Sequence, residues 1–230
     1  MKSSTVVSRI AVLATALAAT AGMAFASGGG TGVSADQALQ KLLDGNKRYV
    51  ESKMSAPDRS DASAREKLAQ GQQPYAIILS CSDSRVPPEI IFDQALGEIF
   101  VIRVAGNVAD PIVLGSIEYA AEHLGSPLIM VLGHERCGAV TATVNTKGEP
   151  EGNIGAIIKA IQPSAKKAEE ISKGKSAAEL VECAVAVNAK AVAASLTEQS
   201  TILAHELKEG KIKIVTATYD LDDGKVTLLK

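Results

Sequence analysis

Cys81-Ser82-Asp83-Ser84-Arg85 and, 53 residues past the first cysteine, His134-Glu135-Arg136-Cys137 hold the side chains best suited to chemistry in this sequence. Two thiolates and an imidazole form a borderline-soft, three-point claw, the donor set of a catalytic zinc whose fourth position is left for water or substrate. The competing reading joins Cys81 and Cys137 in a disulfide, with Cys183 left over. Taken alone, Asp83 and Arg85 read as a turn ion pair, a common and weak feature. Two residues from a candidate ligand, they become candidates for work at the metal.

Both halves of the claw fall where an apolar run stops. Residues 75–79 (Tyr-Ala-Ile-Ile-Leu) give way to Ser80-Cys81, and residues 127–132 (Pro-Leu-Ile-Met-Val-Leu) to Gly133-His134. Such runs predict strands covered on both faces, and in open parallel sheets ligands bind beyond the carboxyl ends of the strands. Two such ends side by side bring Cys81 against His134 and Cys137. The His-x-x-Cys step fits one turn leading into a helix over residues 137–144.

The elements that must position the claw alternate. Ser34-Ala35-Asp36-Gln37 is a capping box opening a helix to about Glu51, with Ala38, Leu42 and Tyr49 on its apolar face. Residues 54–64, with Pro57 and several Ser and Asp, read as a loop or extended arm. Pro87-Pro88 suits a turn and helix start, residues 98–104 a second strand, and Asp110-Pro111 the cap and first turn of a helix through His123. Residues 154–172 and 177–208 read as helices, the first broken or kinked at Pro163. Residues 211–219 and 225–229, joined by Asp222-Asp223-Gly224, form a closing strand and hairpin. Strands alternating with helices predict an α/β fold with a parallel sheet. Cys183 falls in a helical run, where a small buried thiol is the ordinary reading. His123 and His205 fall on helices as surface or interface residues.

Composition agrees with one domain: 230 residues, 46% hydrophobic, with no internal repeat. A net charge of −2, few aromatics and no basic stripe leave nucleic acid without an electrostatic footprint. Residues 1–26 read as a secretory signal peptide: Lys2 and Arg9, an apolar stretch over residues 10–21, then Ala24-Phe25-Ala26 as a small-x-small cleavage site. An uncleaved membrane anchor is disfavoured by an Ala- and Thr-rich segment barely long enough to span. Cleavage is expected to leave a domain of residues 27–230 with net charge −4, periplasmic or secreted and without membrane attachment.

Together the motifs resemble those of the β-class carbonic anhydrases: Cys81, Asp83 and Arg85 as Cys-x-Asp-x-Arg, then Gly133, His134, Cys137 and Gly138 as Gly-His-x-x-Cys-Gly. The resemblance continues through Arg103-Val104-Ala105-Gly106-Asn107 and covers residues 34–220. It implies a four-stranded parallel core with an antiparallel edge strand, flanking helices, and a homodimer or homotetramer in which an N-terminal helical arm embraces the partner. It implies Zn2+ on Cys81, His134 and Cys137. Asp83 then has two possible states: held by Arg85 as an acceptor for hydroxide on the metal, or a fourth ligand that shuts the site. Gln72, Phe100 and Tyr119 take the places of substrate-binding residues, some supplied by the neighbouring subunit, and Gly138 is grouped with them. By position alone, Phe100 and Tyr119 read equally well as core and Gln72 as a turn residue. Residues 103–107 are expected to shape the loop beside the metal, Gly106 permitting a tight backbone.

Some members carry a tryptophan three residues before the first zinc cysteine, in a bicarbonate pocket that locks the closed state. Ile78 stands there and the chain has no tryptophan, so the open arrangement is expected. The implied reaction is reversible hydration of carbon dioxide to bicarbonate and a proton, by hydroxide from a zinc-bound water; zinc can lower that water's pKa to about 7, and two charge-donating thiolates are expected to leave it higher here. Two other readings stay open on sequence: a carbonyl sulfide or carbon disulfide hydrolase on the same scaffold, and a non-catalytic zinc module closed by four protein ligands.

Overall fold

The computed structural model describes residues 31–230, so the leader read over residues 1–26 lies outside the described residues. Five strands form one sheet in the order β2-β1-β3-β4-β5: β1 Ala76–Ser80, β2 Ile99–Arg103, β3 Leu128–His134, β4 Lys213–Tyr219 and β5 Val226–Leu228. β1 pairs in parallel with β2 and β3, β3 pairs in parallel with β4, and β5 runs antiparallel to β4. This is the expected four-stranded parallel core with its antiparallel edge.

β1 and β3 are buried at every position. The pleat divides the core into two layers. Ala76, Ile78, Leu128, Met130 and Leu132 pack with Ala38, Leu42 and Ile161 in one, while Ile77, Leu79, Ile129 and Val131 pack with Leu114, Ile117 and Leu203 in the other. Each fully buried Leu or Ile contributes about 1.5–3 kcal/mol. The two central strands, whose ends carry the candidate ligands, are therefore the most heavily anchored elements.

Helix α1, Ala35–Val50, opens with the capping box read from sequence: Gln37 N–H donates to Ser34 Oγ (3.2 Å) and Ser34 N–H to Gln37 Oε1 (2.9 Å). Residues 54–64 are only partly loop. A 3-10 turn, Pro57–Arg59, precedes α2, Ala62–Leu68, whose cap Asp61 accepts from Ala64 N–H at 2.8 Å. The polar residues that signalled a loop include the cap itself. The segment is moored by the buried Asp93 carboxylate, which accepts from Arg48 Nε (2.5 Å) and from the N–H groups of Ser55 (2.9 Å) and Ala56 (2.7 Å).

Helix α3, Pro88–Ile91, starts at the paired prolines. Helix α4, Pro111–Glu118, is capped by Asp110 and runs on as a π-helical turn, Tyr119–His123. Helices α5, Gly138–Asn145, α6, Ile154–Ile171, α7, Ala177–Gln199, and α8, Thr201–Lys208, complete the layers. α6 continues through Pro163 without a break, because Pro163 lies on the exposed face, where water can bond the carbonyl that its missing N–H leaves. The single helix expected over residues 177–208 is two. Ser200 is extended (φ −122°, ψ 113°); its hydroxyl accepts from Leu203 N–H (3.1 Å) and donates to Glu118 (2.6 Å). Helix α7 is long and apolar enough to cross a membrane, but its Val181, Val185, Ala189, Val192 and Leu196 are buried in the core. Cys183, expected buried, is only half-buried.

Candidate metal centre

Cys81 follows the last residue of β1, and His134 is the last residue of the neighbouring β3. The register pairs Ser80 with Leu132, which sets Cys81 beside the Gly133-His134 end. Cys137 then caps α5. All three side chains are buried, and their ligand atoms lie within 4.8 Å of one another. The two sulfurs are 4.0 Å apart, and all three cysteines of the chain are free thiols.

The tight turn between His134 and Cys137 is held from outside the motif. Arg136 takes φ +49°; its N–H donates to Glu182 Oε1 (2.9 Å), and its guanidinium grips both Asp222 oxygens (2.9 and 2.8 Å). Glu135 N–H donates to Tyr219 O, and the Glu135 carboxylate accepts from Leu221 N–H. Gly133 leaves room for α7: a Cβ there would meet Val185 Cγ1 at 3.0 Å. Nothing in the local sequence pattern marked Glu182 or Asp222, since both reach the turn from distant elements.

His134 Nδ1 lies 2.8 Å from the Glu135 carbonyl, which assigns it the proton and leaves Nε2 as the bare nitrogen. That Nε2 is buried and has no hydrogen-bond partner, a costly state for a polar atom unless something else engages it. Tetrahedral zinc with Zn–S bonds of about 2.3 Å separates two sulfurs by about 3.8 Å, close to the 4.0 Å found. Cys81 is pulled well below the ordinary thiol range, chiefly by the hydrogen bond from Cys137, against burial, with help from the Gly106 and Asp83 N–H groups. Cys137 is pushed up by the same bond and by burial. A divalent cation binding both sulfurs would displace their protons. Donor chemistry, spacing and the bare imidazole nitrogen all fit zinc.

Asp83 lies next to this cluster as a carboxylate already engaged. Arg85 Nε and Nη2 donate to its two oxygens at 2.9 and 2.8 Å, and the Arg85 N–H adds a third bond at 3.0 Å. The guanidinium holds the carboxyl well below the usual range, opposed by partial burial. Arg103 braces the same loop by donating to the carbonyls of Cys81 (3.0 Å) and Asp83 (2.6 Å). Gly106, at φ +70°, donates its N–H to Cys81 Sγ at 3.3 Å, so residues 103–107 do shape the loop beside the sulfur. Gly138 starts α5, with no atom within 4 Å of where a Cβ would stand.

Gln72, Phe100 and Tyr119 are not brought to the claw within one chain. Gln72 precedes β1, whereas Cys81 follows it, so the five-residue strand, about 16 Å long, lies between them. Phe100 pairs with Ile77 near the start of β1, and its ring lies 6.3 Å from that of Tyr119. Gln72 and Tyr119 line a common cavity of about 820 Å³ at that end of the sheet, with Tyr119 42% exposed.

A mainly parallel α/β sheet with a Cys/His/Cys claw at two adjacent strand ends defines a class of α/β protein with a group able to hold a metal at the carboxyl edge of the sheet. Residues 76–226 match the family model described as carbonic anhydrase. The chain is 42% identical over 195 residues to a carbonic anhydrase of Mycolicibacterium smegmatis, an alignment covering 83% of this chain and 91% of the relative. It is 40% identical over 194 residues to carbonic anhydrase 2 of Mycobacterium tuberculosis, with the same coverage. A solved β-carbonic anhydrase from Coccomyxa, in complex with acetazolamide, superposes with a TM-score of 0.69 at 28% identity, covering 83% of this chain and 86% of that one. The chain belongs to the carbonic anhydrase family, in its β class.

Proposed function

We propose that this protein catalyses the reversible hydration of carbon dioxide to bicarbonate and a proton, with zinc on Cys81, His134 and Cys137. The observation that carries the reading is the convergence of two thiols on a buried imidazole nitrogen that no protein group satisfies. Membership of the carbonic anhydrase family supports the reaction. When bound, zinc supplies a Lewis acid that acidifies water at its open position. His134 is fixed in one tautomer by Glu135 O, so Nε2 is its donor atom. Asp83 works as an ionised acceptor: Arg85 fixes both its oxygens, keeps it charged, and leaves its remaining lone pairs to orient a proton-bearing group at the site. That engagement with Arg85 favours the open arrangement, in which Asp83 is not a ligand.

Gln72, Phe100 and Tyr119 enter this reading through a second copy of the chain. Gln72 and Tyr119 line one cavity at the far end of the sheet, the Phe100 ring lies 6.3 Å from that of Tyr119, and Tyr119 and Ile112 are exposed, so a homodimer, alone or within a tetramer, would supply them to the partner's metal. The leader over residues 1–26 supports export, with the mature enzyme in the periplasm or outside the cell.

The test is metal analysis together with a carbon dioxide hydration assay on the mature protein. About one zinc per chain and measurable hydration are expected, and Cys81→Ser and His134→Ala should each lose both. Full zinc retention in either variant refutes the ligand set.

A further inference from the structure

Asn188 lies within α7, is 1% exposed, and donates its Nδ2 proton to the Gly106 carbonyl at 2.9 Å. The N–H of the same Gly106 points at Cys81 Sγ, 3.3 Å away. Gly106 has little freedom otherwise: it holds φ +70°, and a Cβ there would strike Ile161 Cδ1 at 2.5 Å and meet Ala139 Cβ at 3.2 Å. Its peptide is therefore clamped between a side chain of α7 and the sulfur. Six residues earlier on α7, Glu182 receives the Arg136 N–H from the other half of the claw. One helix outside both motifs thus braces both pieces.

An amide N–H given to a thiolate withdraws charge from the sulfur and fixes the direction of its lone pairs. We propose that Asn188 is a positioning residue for the Cys81 thiolate: by holding the Gly106 peptide it aims that N–H at the sulfur and sets how strongly the sulfur holds the metal. The inference rests on the Cys81, His134 and Cys137 reading. It extends that reading to a residue whose side-chain hydrogen bond goes to Gly106 rather than to any ligand.

Isotope-labelled parent protein loaded with NMR-active cadmium should show scalar coupling between the metal and the Gly106 amide, carried across the N–H···S bond. Asn188→Asp keeps the volume but turns an acceptor toward the Gly106 carbonyl, so the coupling should vanish. Zinc affinity, measured by chelator competition, should fall about ten- to a hundredfold, the usual effect of losing an outer partner of a ligand. Val192→Ala, on the same helix, loosens packing without reaching Gly106 and should change neither readout. If Asn188→Asp does not fold, Asn188→Ala and the coupling in the parent protein carry the test. Cadmium bound without coupling in the parent, or a folded variant with parental coupling and affinity, overturns the proposal. A parent protein that binds neither metal overturns the metal reading and this inference with it.

Discussion

Asp83 and Arg85 make a closed pair at the edge of the claw, and the ionisation of Asp83 decides how the site responds to acid. Its folded pKa is depressed by the Arg85 guanidinium, so the carboxylate stays charged from neutral pH down through the ordinary carboxylate range near about pH 4. Hydration measured by stopped flow should therefore rise with pH through one gradual ionisation. A steep loss on mild acidification, with zinc retained, would mean that Asp83 changes partners. Asp83→Asn should keep its zinc and lose about a hundredfold or more in turnover, the scale of a misplaced proton-handling group. Cys81 and Cys137 respond to oxidant instead. With their sulfurs 4.0 Å apart, chelator-stripped protein exposed to oxidised glutathione should form a Cys81–Cys137 bridge, and metal-loaded protein should not; peptide mass spectrometry separates the two. These residues were legible in the sequence because their chemistry is local, carried by side-chain type at a fixed short spacing. Glu182, Asp222 and Asn188 were not, because each acts on the site across 46 to 86 residues of chain and its own neighbourhood carries no mark of the contact.

Among the elements, the first helix and the arm after it are joined through one buried charge. Asp93 takes φ +46° and accepts from Arg48, Ser55 and Ala56. Burial opposes its ionisation, but the Arg48 bond and the two N–H groups prevail, so its pKa is lowered. That sign gives stability present at neutral pH and lost as pH falls below the unfolded carboxylate range of about 4. Asp93→Ala strands the Arg48 guanidinium and two backbone donors, and should cost about 3 kcal/mol in urea unfolding. A loss below about 0.5 kcal/mol, the size of an ordinary surface change, would show that the arm is held by something else. The starts of α1 and α4 were read correctly because Ser34 and Asp110 bond groups within three residues of themselves. The break at Ser200 was invisible because its hydroxyl is held by Glu118, 82 residues away. At Pro163 the local rule misled, since on a solvent-facing turn water replaces the bond that proline removes.

At the scale of the molecule, Gln72, Phe100 and Tyr119, proposed above to serve a partner's site, sit at the opposite end of the sheet from the claw, which makes a prediction about mixtures. Gln72→Ala should leave the metal in place with low activity, and Cys81→Ser should be inactive with an intact Gln72. If sites are completed by a partner, refolding the two together should restore roughly a quarter of parental activity, since half the dimers are mixed and each of those has one whole site. Additive activity with no gain would show that each chain works alone. The sheet order carries a different consequence. β1 and β3 are neighbours in space but lie on either side of β2 in the sequence, so Cys81 meets the His134 and Cys137 pair only after a crossover has been laid down and a long loop closed. An unfolded chain offers a passing cation at most the two ligands of the His-x-x-Cys step. On the proposed metal reading, loading would follow assembly and the ion would bind the finished topology in preference to its precursors, a late seal on a correctly wound sheet.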